Sequence, residues 1–194
     1  MIEYILQGGG TKEFSFKKYI NLWKSLNLIP RKSKVLVVFF ARPKETWEML
    51  YKKTKNSNFV FGRWDIEYVL ASDNSNEFIK QIKECDVISF RGGNTPKLQK
   101  RLAEISDFRQ LLEGKITIGS SAGALVFAKY YYDQDYDQIF EGLNFLNIKM
   151  ITHYKSKGEY AASSGDDKLK MLKSYKEELP VYAIRETEFV VINE

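Results

Sequence analysis

The chain has 194 residues, of which 44% are hydrophobic, 14% aromatic and 28% charged; this is enough apolar surface for one packed domain over residues 1–194, and it excludes both a disordered chain and two independently folded enzyme domains. Its 30 Lys+Arg and 25 Asp+Glu leave a net charge of +5, but the basic residues are scattered among acidic ones, which argues against a dedicated nucleic-acid stripe. The longest wholly apolar run, Val35 to Ala41, is far short of the about 20 residues that a membrane-crossing helix needs, and with Cys85 and His153 each alone in the sequence there is neither an internal disulfide nor a His/Cys zinc cluster.

Apolar runs alternate with amphipathic stretches, the pattern of an α/β fold with a mostly parallel sheet and helices on both faces. The first strand is expected over Ile2 to Gln7. Phe16, Tyr19, Ile20, Trp23 and Leu26 then recur at helical spacing until Pro30 stops the helix. Val35 to Phe40 reads as a buried central strand, Trp47, Leu50 and Tyr51 as one face of a helix, and Ile66 to Leu70 as a strand. The turn Ser72-Asp73-Asn74-Ser75 offers side-chain caps for a helix carrying Phe78, Ile79 and Ile82. Val87 to Phe90 is the next strand, Leu98, Leu102 and Ile105 mark the helix after it, and Ile116 to Ile118 returns to strand. The small and apolar residues from Ala122 to Ala128 predict a buried helix, and the polar, aromatic segment Tyr130 to Asp137 an irregular excursion. Strands over Asn147 to Ile151, Val181 to Ile184 and Phe189 to Ile192, with a helix over Asp167 to Lys176, complete the chain.

The chemistry concentrates in Gly119-Ser120-Ser121-Ala122-Gly123, a G-x-S-x-G sequence between a strand and a helix. That is the pattern of a nucleophile elbow, in which a tight turn raises the serine above the sheet edge and small neighbours give it room; the same letters also occur in helix caps. A serine hydroxyl needs a base to remove its proton, and His153 is the sole imidazole. It follows a predicted strand at its carboxyl end, the edge where open α/β sheets gather catalytic loops. Arg91-Gly92-Gly93-Asn94-Thr95 ends the strand Val87 to Phe90 at the same edge, where its N–H groups can bind an oxyanion or a phosphate. Gly8-Gly9-Gly10-Thr11 is a third such loop, without the acidic residue or lysine of a nucleotide fingerprint. Asp133-Gln134-Asp135-Tyr136-Asp137 opens like a calcium loop, but Gln138 stands where glycine is needed and Asn144 where a bidentate Glu belongs. Cys85 reads as a small packing residue.

The glycine-rich first loop, Phe90-x-Gly92-Gly93-Asn94-Thr95-x-x-Leu98, Gly119-x-Ser121-Ala122-Gly123-Ala124, the late His153 and a C-terminal acidic residue together resemble peptidase family S51, which includes dipeptidase E and cyanophycinase. The resemblance spans nearly the whole chain. It implies a fold like the class I glutamine amidotransferases and a Ser-His-Glu triad, with Ser121 as nucleophile, His153 as general base and Glu186 orienting it. Glu188, two residues on, competes for that last role. Gly93 and Ala122 are implied as the oxyanion donors. Asn94, Thr95, Arg91 and Arg185 are implied as substrate contacts, either arginine being suited to the carboxylate of an N-terminal aspartate. The chain differs from dipeptidase E in having Arg91 in place of Gly, Ser120 in place of a bulky aromatic, and Arg185-Glu186-Thr187 in place of Pro-Glu-Gly.

The expected activity is serine-type hydrolysis of small peptides without a cofactor or metal. An esterase or amidase using the same acyl transfer, and a noncatalytic small-molecule-binding module, are the alternatives. The expected partner is a small peptide substrate, with no nucleic acid or membrane, for a monomer or homodimer. The start Met1-Ile2-Glu3-Tyr4 carries no secretory signal pattern, so a cytoplasmic location is expected.

Overall fold

The computed structural model describes residues 1–10, 16–60 and 62–194; Thr11 of the glycine loop and the side chain of Tyr19 lie outside the described residues. In chain order the elements are β1 (Glu3–Gln7), α1 (Phe16–Asn27), β2 (Lys34–Val38), α2 (Trp47–Val60), β3 (Glu67–Leu70), α3 (Ser75–Glu84), β4 (Val87–Phe90), α4 (Thr95–Ala103), α5 (Phe108–Leu111), β5 (Ile116–Ser120), α6 (Ala122–Leu125), β6 (Ala128–Asp133), β7 (Gln138–Glu141), β8 (Leu146–Ile151), α7 (Asp166–Ser174), β9 (Val181–Ala183) and β10 (Phe189–Asn193). Among the described residues no helix is long and apolar enough to cross a membrane.

Six strands form the main sheet in the order β10-β1-β5-β4-β2-β3. All its pairings are parallel except the edge pair β1 and β10. The steps from β1 to β2 and from β2 to β3 run toward one edge, and those from β3 to β4 and from β4 to β5 run back. Right-handed crossovers therefore put α1 and α2 on one face and α3 and α4 on the other. The central strands are covered on both sides, so Val35, Leu36, Val37 and Val38 are all buried, in keeping with an unbroken apolar run rather than an alternating one. Asn74 and Asn94 cap α3 and α4, their side chains accepting from the Glu77 and Lys97 N–H groups at 3.1 and 2.8 Å. These caps satisfy N–H groups that helix geometry leaves unpaired.

Three expectations are corrected. The helix predicted to Ala128 is a single turn ending at Leu125, because Ala128 already pairs with Leu146 of β8. The segment from Tyr130 is no irregular excursion: it lies in β6 and pairs antiparallel with β7, Tyr130 opposite Glu141 and Tyr132 opposite Ile139. Consecutive tyrosines have a strong strand preference, and Tyr131 and Tyr132 are wholly buried. The result is a second, four-stranded sheet in the order β7-β6-β8-β9, absent from a reading with one sheet. Finally, α1 forms where its periodicity places it, yet Phe16 and Trp23, expected on its apolar face, are exposed, while Ser25 and Leu26 in its last turn are buried. In the second sheet, the buried Lys149 donates to the carbonyls of Lys173 and Tyr175 at 2.8 and 2.5 Å. A cation on the last carbonyls of α7 is favoured by the helix dipole, and it locks that helix against β8, the strand that leads to His153.

Candidate active site

The carboxyl ends of β1, β4 and β5 are flush: Gln7 stands opposite Ser120 and Phe90 opposite Gly119. Three glycine-bearing loops therefore leave the main sheet side by side. The second sheet brings a fourth and fifth from β8 and β9, and the two sheets meet at this edge.

Ser121 sits at φ 53° and ψ −118°, a sparsely populated conformation for a residue with a Cβ, costing on the order of 1–3 kcal/mol. Its N–H donates to the Gln7 carbonyl at 3.0 Å. The flanking glycines are required by contact: a Cβ on Gly119 would lie 2.3 Å from the Gly123 carbonyl oxygen, and one on Gly123 would lie 2.1 Å from that of Phe90. The strain is thus held by close backbone packing of β4, β5 and α6, and it presents the hydroxyl at the open edge.

His153, also at positive φ (49°), is 6% exposed. Its Nε2 lies 3.0 Å from Ser121 Oγ and its Nδ1 lies 3.1 Å from Glu186 Oε1. A carboxylate can only accept, so Nδ1 carries the hydrogen facing Glu186 and Nε2 is left as the acceptor for the serine hydroxyl. The same Glu186 oxygen accepts from Ser156 Oγ at 2.8 Å, a second donor that fixes the carboxylate. On its flank the imidazole meets the Tyr160 ring, 4.5 Å between centroids. Burial, reinforced by the charge of Asp135, pushes the Tyr160 phenol up to about 12, so it remains protonated near neutrality.

The first glycine loop acts as a rack for both partners of Ser121. The Gly8 carbonyl accepts from the His153 N–H at 3.0 Å, the Gly9 carbonyl accepts from the Thr187 N–H at 2.8 Å, and the Gly8 N–H donates to the Glu188 carbonyl at 3.0 Å. Gly9 has φ +95°, and a Cβ there would lie 2.4 Å from His153 Cε1. No side chain fits between this loop and the imidazole.

Of the two candidate acids, Glu186 is the one on the imidazole; Glu188 joins the site through its backbone carbonyl. Glu186→Gln should therefore lower kcat by roughly 10²–10⁴-fold, the scale on which a triad acid acts by holding the tautomer. Glu188→Gln should remain within about threefold of wild type. Steady-state kinetics on both variants, with melting curves to show they are folded, decide between them; equal losses would remove the distinction.

Gly92 and Gly93 pass directly beside the serine. A Cβ on Gly92 would lie 3.1 Å from Ser121 Cβ, and Gly93 has φ +149° with its Cα pressed on Ala41, whose carbonyl oxygen would be 2.3 Å from an added Cβ. Ala122 follows Ser121 as the first residue of α6, where a helix leaves its N–H unpaired.

A cavity of about 760 Å³ opens at this edge and extends over the sheet toward α1 and α2. Ser121, His153, Gly93, Asn94 and Arg91 all line it. Arg91 is half-buried and makes no ion pair with a carboxylate among the described residues. Burial pushes its guanidinium pKa downward, the Tyr68 phenol opposes this and Arg42 adds to it; a guanidinium nevertheless stays charged in a protein. The other substrate contacts expected from sequence fare differently. Arg185 is exposed and outside the cavity lining. Thr95 is buried, its hydroxyl bonded to Asp133, and it does not reach the cavity. Asn94 lines it, with its carboxamide also accepting from Lys97 N–H and donating to the Tyr136 hydroxyl at 2.8 Å. Ser156, Tyr160 and Arg42, which the sequence reading misses, come from loops without periodicity or motif. Among the described residues no cluster of three or more His, Cys, Asp or Glu side chains is arranged to hold a metal ion.

The sequence matches peptidase family S51 over residues 5–194. The chain belongs to that family. Two solved structures share the fold. One is a protein of Listeria monocytogenes EGD-e provisionally assigned as peptidase E, 18% identical, with a TM-score of 0.66 over 100% of this chain and 99% of that one. The other is a peptidase from an acI-B1 actinobacterium, 19% identical, with a TM-score of 0.68 over 98% of this chain and 82% of that one. No curated protein matches the sequence. Membership of S51 makes the chain one of a family of peptidases on an α/β fold.

Proposed function

We propose that this S51 member is a serine-type hydrolase of small peptides that works through a Ser121-His153-Glu186 triad and an acyl-enzyme. The observation that carries the reading is the unbroken line from Ser121 Oγ through His153 to Glu186, with both contacts near 3 Å. Ser121 Oγ attacks the scissile carbonyl carbon while His153 Nε2 takes its proton. The carbonyl π pair moves onto oxygen, and that oxyanion is met by the N–H groups of Gly93 and Ala122. Collapse of the intermediate expels the amine, which receives the proton from Nε2. Water, deprotonated by the same nitrogen, then attacks the ester, and Ser121 Oγ leaves with the proton returned. Glu186 keeps its hydrogen bond to Nδ1–H throughout and steadies the imidazolium.

Arg91 supports a preference for an acidic first residue, because a half-buried cation that pairs with no carboxylate among the described residues is satisfied when substrate supplies one. The test is a panel of Asp-Xaa, β-aspartyl and neutral dipeptides together with simple esters, products identified by mass spectrometry. Asp-Xaa dipeptides should give the highest kcat/KM. Arg91→Met should raise KM for them by roughly 10–100-fold, the worth of a hydrogen bond to a charged group, and leave neutral dipeptides almost unchanged. Exclusive turnover of esters would overturn the peptidase reading, and uniform loss across the panel would overturn the role of Arg91.

A further inference from the structure

The Gly92–Gly93 peptide carries one of the two donors of the proposed oxyanion site, and neither of its residues has a side chain to fix its orientation. A peptide between two glycines can flip about its flanking bonds with little steric resistance, and a flip would point the Gly92 carbonyl, instead of the Gly93 N–H, at the serine. Arg42 Nε–H donates to the Gly92 carbonyl at 2.6 Å, a short bond of the kind made by a charged donor. Within a trans peptide the C=O and N–H point in opposite directions. A guanidinium that holds the carbonyl on one side therefore directs the Gly93 N–H to the other.

Arg42 is itself well anchored. Its N–H donates to the Phe39 carbonyl at 2.7 Å, and its own carbonyl accepts from Trp47 Nε1 at 3.1 Å and Lys97 Nζ at 3.0 Å. Next to it, the Ala41 carbonyl abuts Gly93 and accepts from the Asn94 N–H at 2.9 Å. The turn after β2 is thus a rigid clamp on the loop after β4. We infer that Arg42 is a positioning residue for the oxyanion hole: it keeps the Gly92–Gly93 peptide in the orientation that offers the Gly93 N–H above Ser121 and polarises that N–H through the carbonyl of the same peptide. The inference rests on the proposed role of Ser121 as nucleophile.

A fluorophosphonate probe separates the two claims. Ser121 Oγ displaces fluoride from phosphorus, and the P=O oxygen occupies the position of the oxyanion, so the labelling rate reports the hole with no need for the natural substrate. Wild type should label and Ser121→Ala should not. Arg42→Ala and Arg42→Gln should label about tenfold to a hundredfold more slowly, somewhat less than the loss of a whole oxyanion donor. Their melting temperatures should be unchanged, Arg42 being exposed, and added guanidinium ion should restore part of the Arg42→Ala rate. With dipeptides, kcat should fall by the same factor for acidic and neutral first residues while KM holds. Labelling within twofold of wild type would remove the role of Arg42 and leave the triad standing. A rise in KM confined to acidic substrates would make Arg42 a substrate contact instead. Failure of wild type to label, or labelling of Ser121→Ala, would overturn the nucleophile assignment and this inference with it.

Discussion

Ser121→Ala should lose turnover by roughly 10³–10⁶-fold, and His153→Ala should lose nearly as much, because in the proposed mechanism they are a nucleophile and its base, a unit whose single deletions each approach the loss of the whole. His153 is the sole imidazole in the chain, and its Nε2 is 3.0 Å from Ser121 Oγ, so no second imidazole can take over. The double variant should be no worse than the worse single one; additive losses would mean that the two residues act separately. Alanine retains a Cβ at φ 53°, so Ser121→Ala keeps the backbone strain, whereas Ser121→Gly removes it. The glycine variant should be equally inactive yet melt at a higher temperature than the alanine variant. Kinetics and calorimetry on these four variants and the wild type measure all of this. Substantial activity in Ser121→Ala would end the serine mechanism.

Gly9→Ala should be nearly as damaging although Gly9 carries no functional group. An added Cβ would lie 2.4 Å from His153 Cε1 and 2.5 Å from Nε2, and φ +95° resists any L side chain. Either the imidazole swings off the Ser121–Glu186 line or the loop retreats and takes with it the Gly8 and Gly9 carbonyls that hold His153 and Thr187. A displacement of about 1 Å at a catalytic group costs on the order of 10²-fold, so kcat should fall by at least that much with KM far less affected. Gly10→Ala is the control, since no atom of the described residues lies within 4 Å of a Cβ there; it should behave as wild type. Equal activity of Gly9→Ala and Gly10→Ala would mean that the rack does not hold the imidazole.

The elements that could be read in advance share one property: their signal is local. The run Val35 to Val38 is apolar because β2 is covered on both faces, and Asn74 precedes its helix because a free carboxamide satisfies the first N–H groups. Ser121 is legible for the same reason, since the glycines that announce it are those its neighbours' backbones press against. The β6–β7 hairpin was not legible, because Tyr130 to Asp137 mixes aromatic and acidic residues without clean alternation; what decides it is the partner strand, whose residues lie far along the chain for β8. The exposure of Phe16 and Trp23 had no signal either: helical spacing identifies a face, but not how much of it the sheet will cover.

For the site, sequence by itself determined the residue types and their order: an elbow serine, one imidazole, a glycine pair after β4 and a late pair of glutamates. The resemblance points to Glu186 with Glu188 as its competitor; the tertiary structure puts Glu186 on the imidazole, places Arg91 in the cavity and Arg185 outside its lining, withdraws Thr95 beneath the surface, and brings Arg42, Ser156 and Tyr160 to the site. Those choices depend on which way a strand end or loop turns: Glu186 and Glu188 would share a face on extended backbone, and it is the turn with Thr187 at φ 67° that separates them. That direction is set by contacts with distant segments, here the hydrogen bonds of Gly8 and Gly9 to His153, Thr187 and Glu188, which no local run of residues encodes.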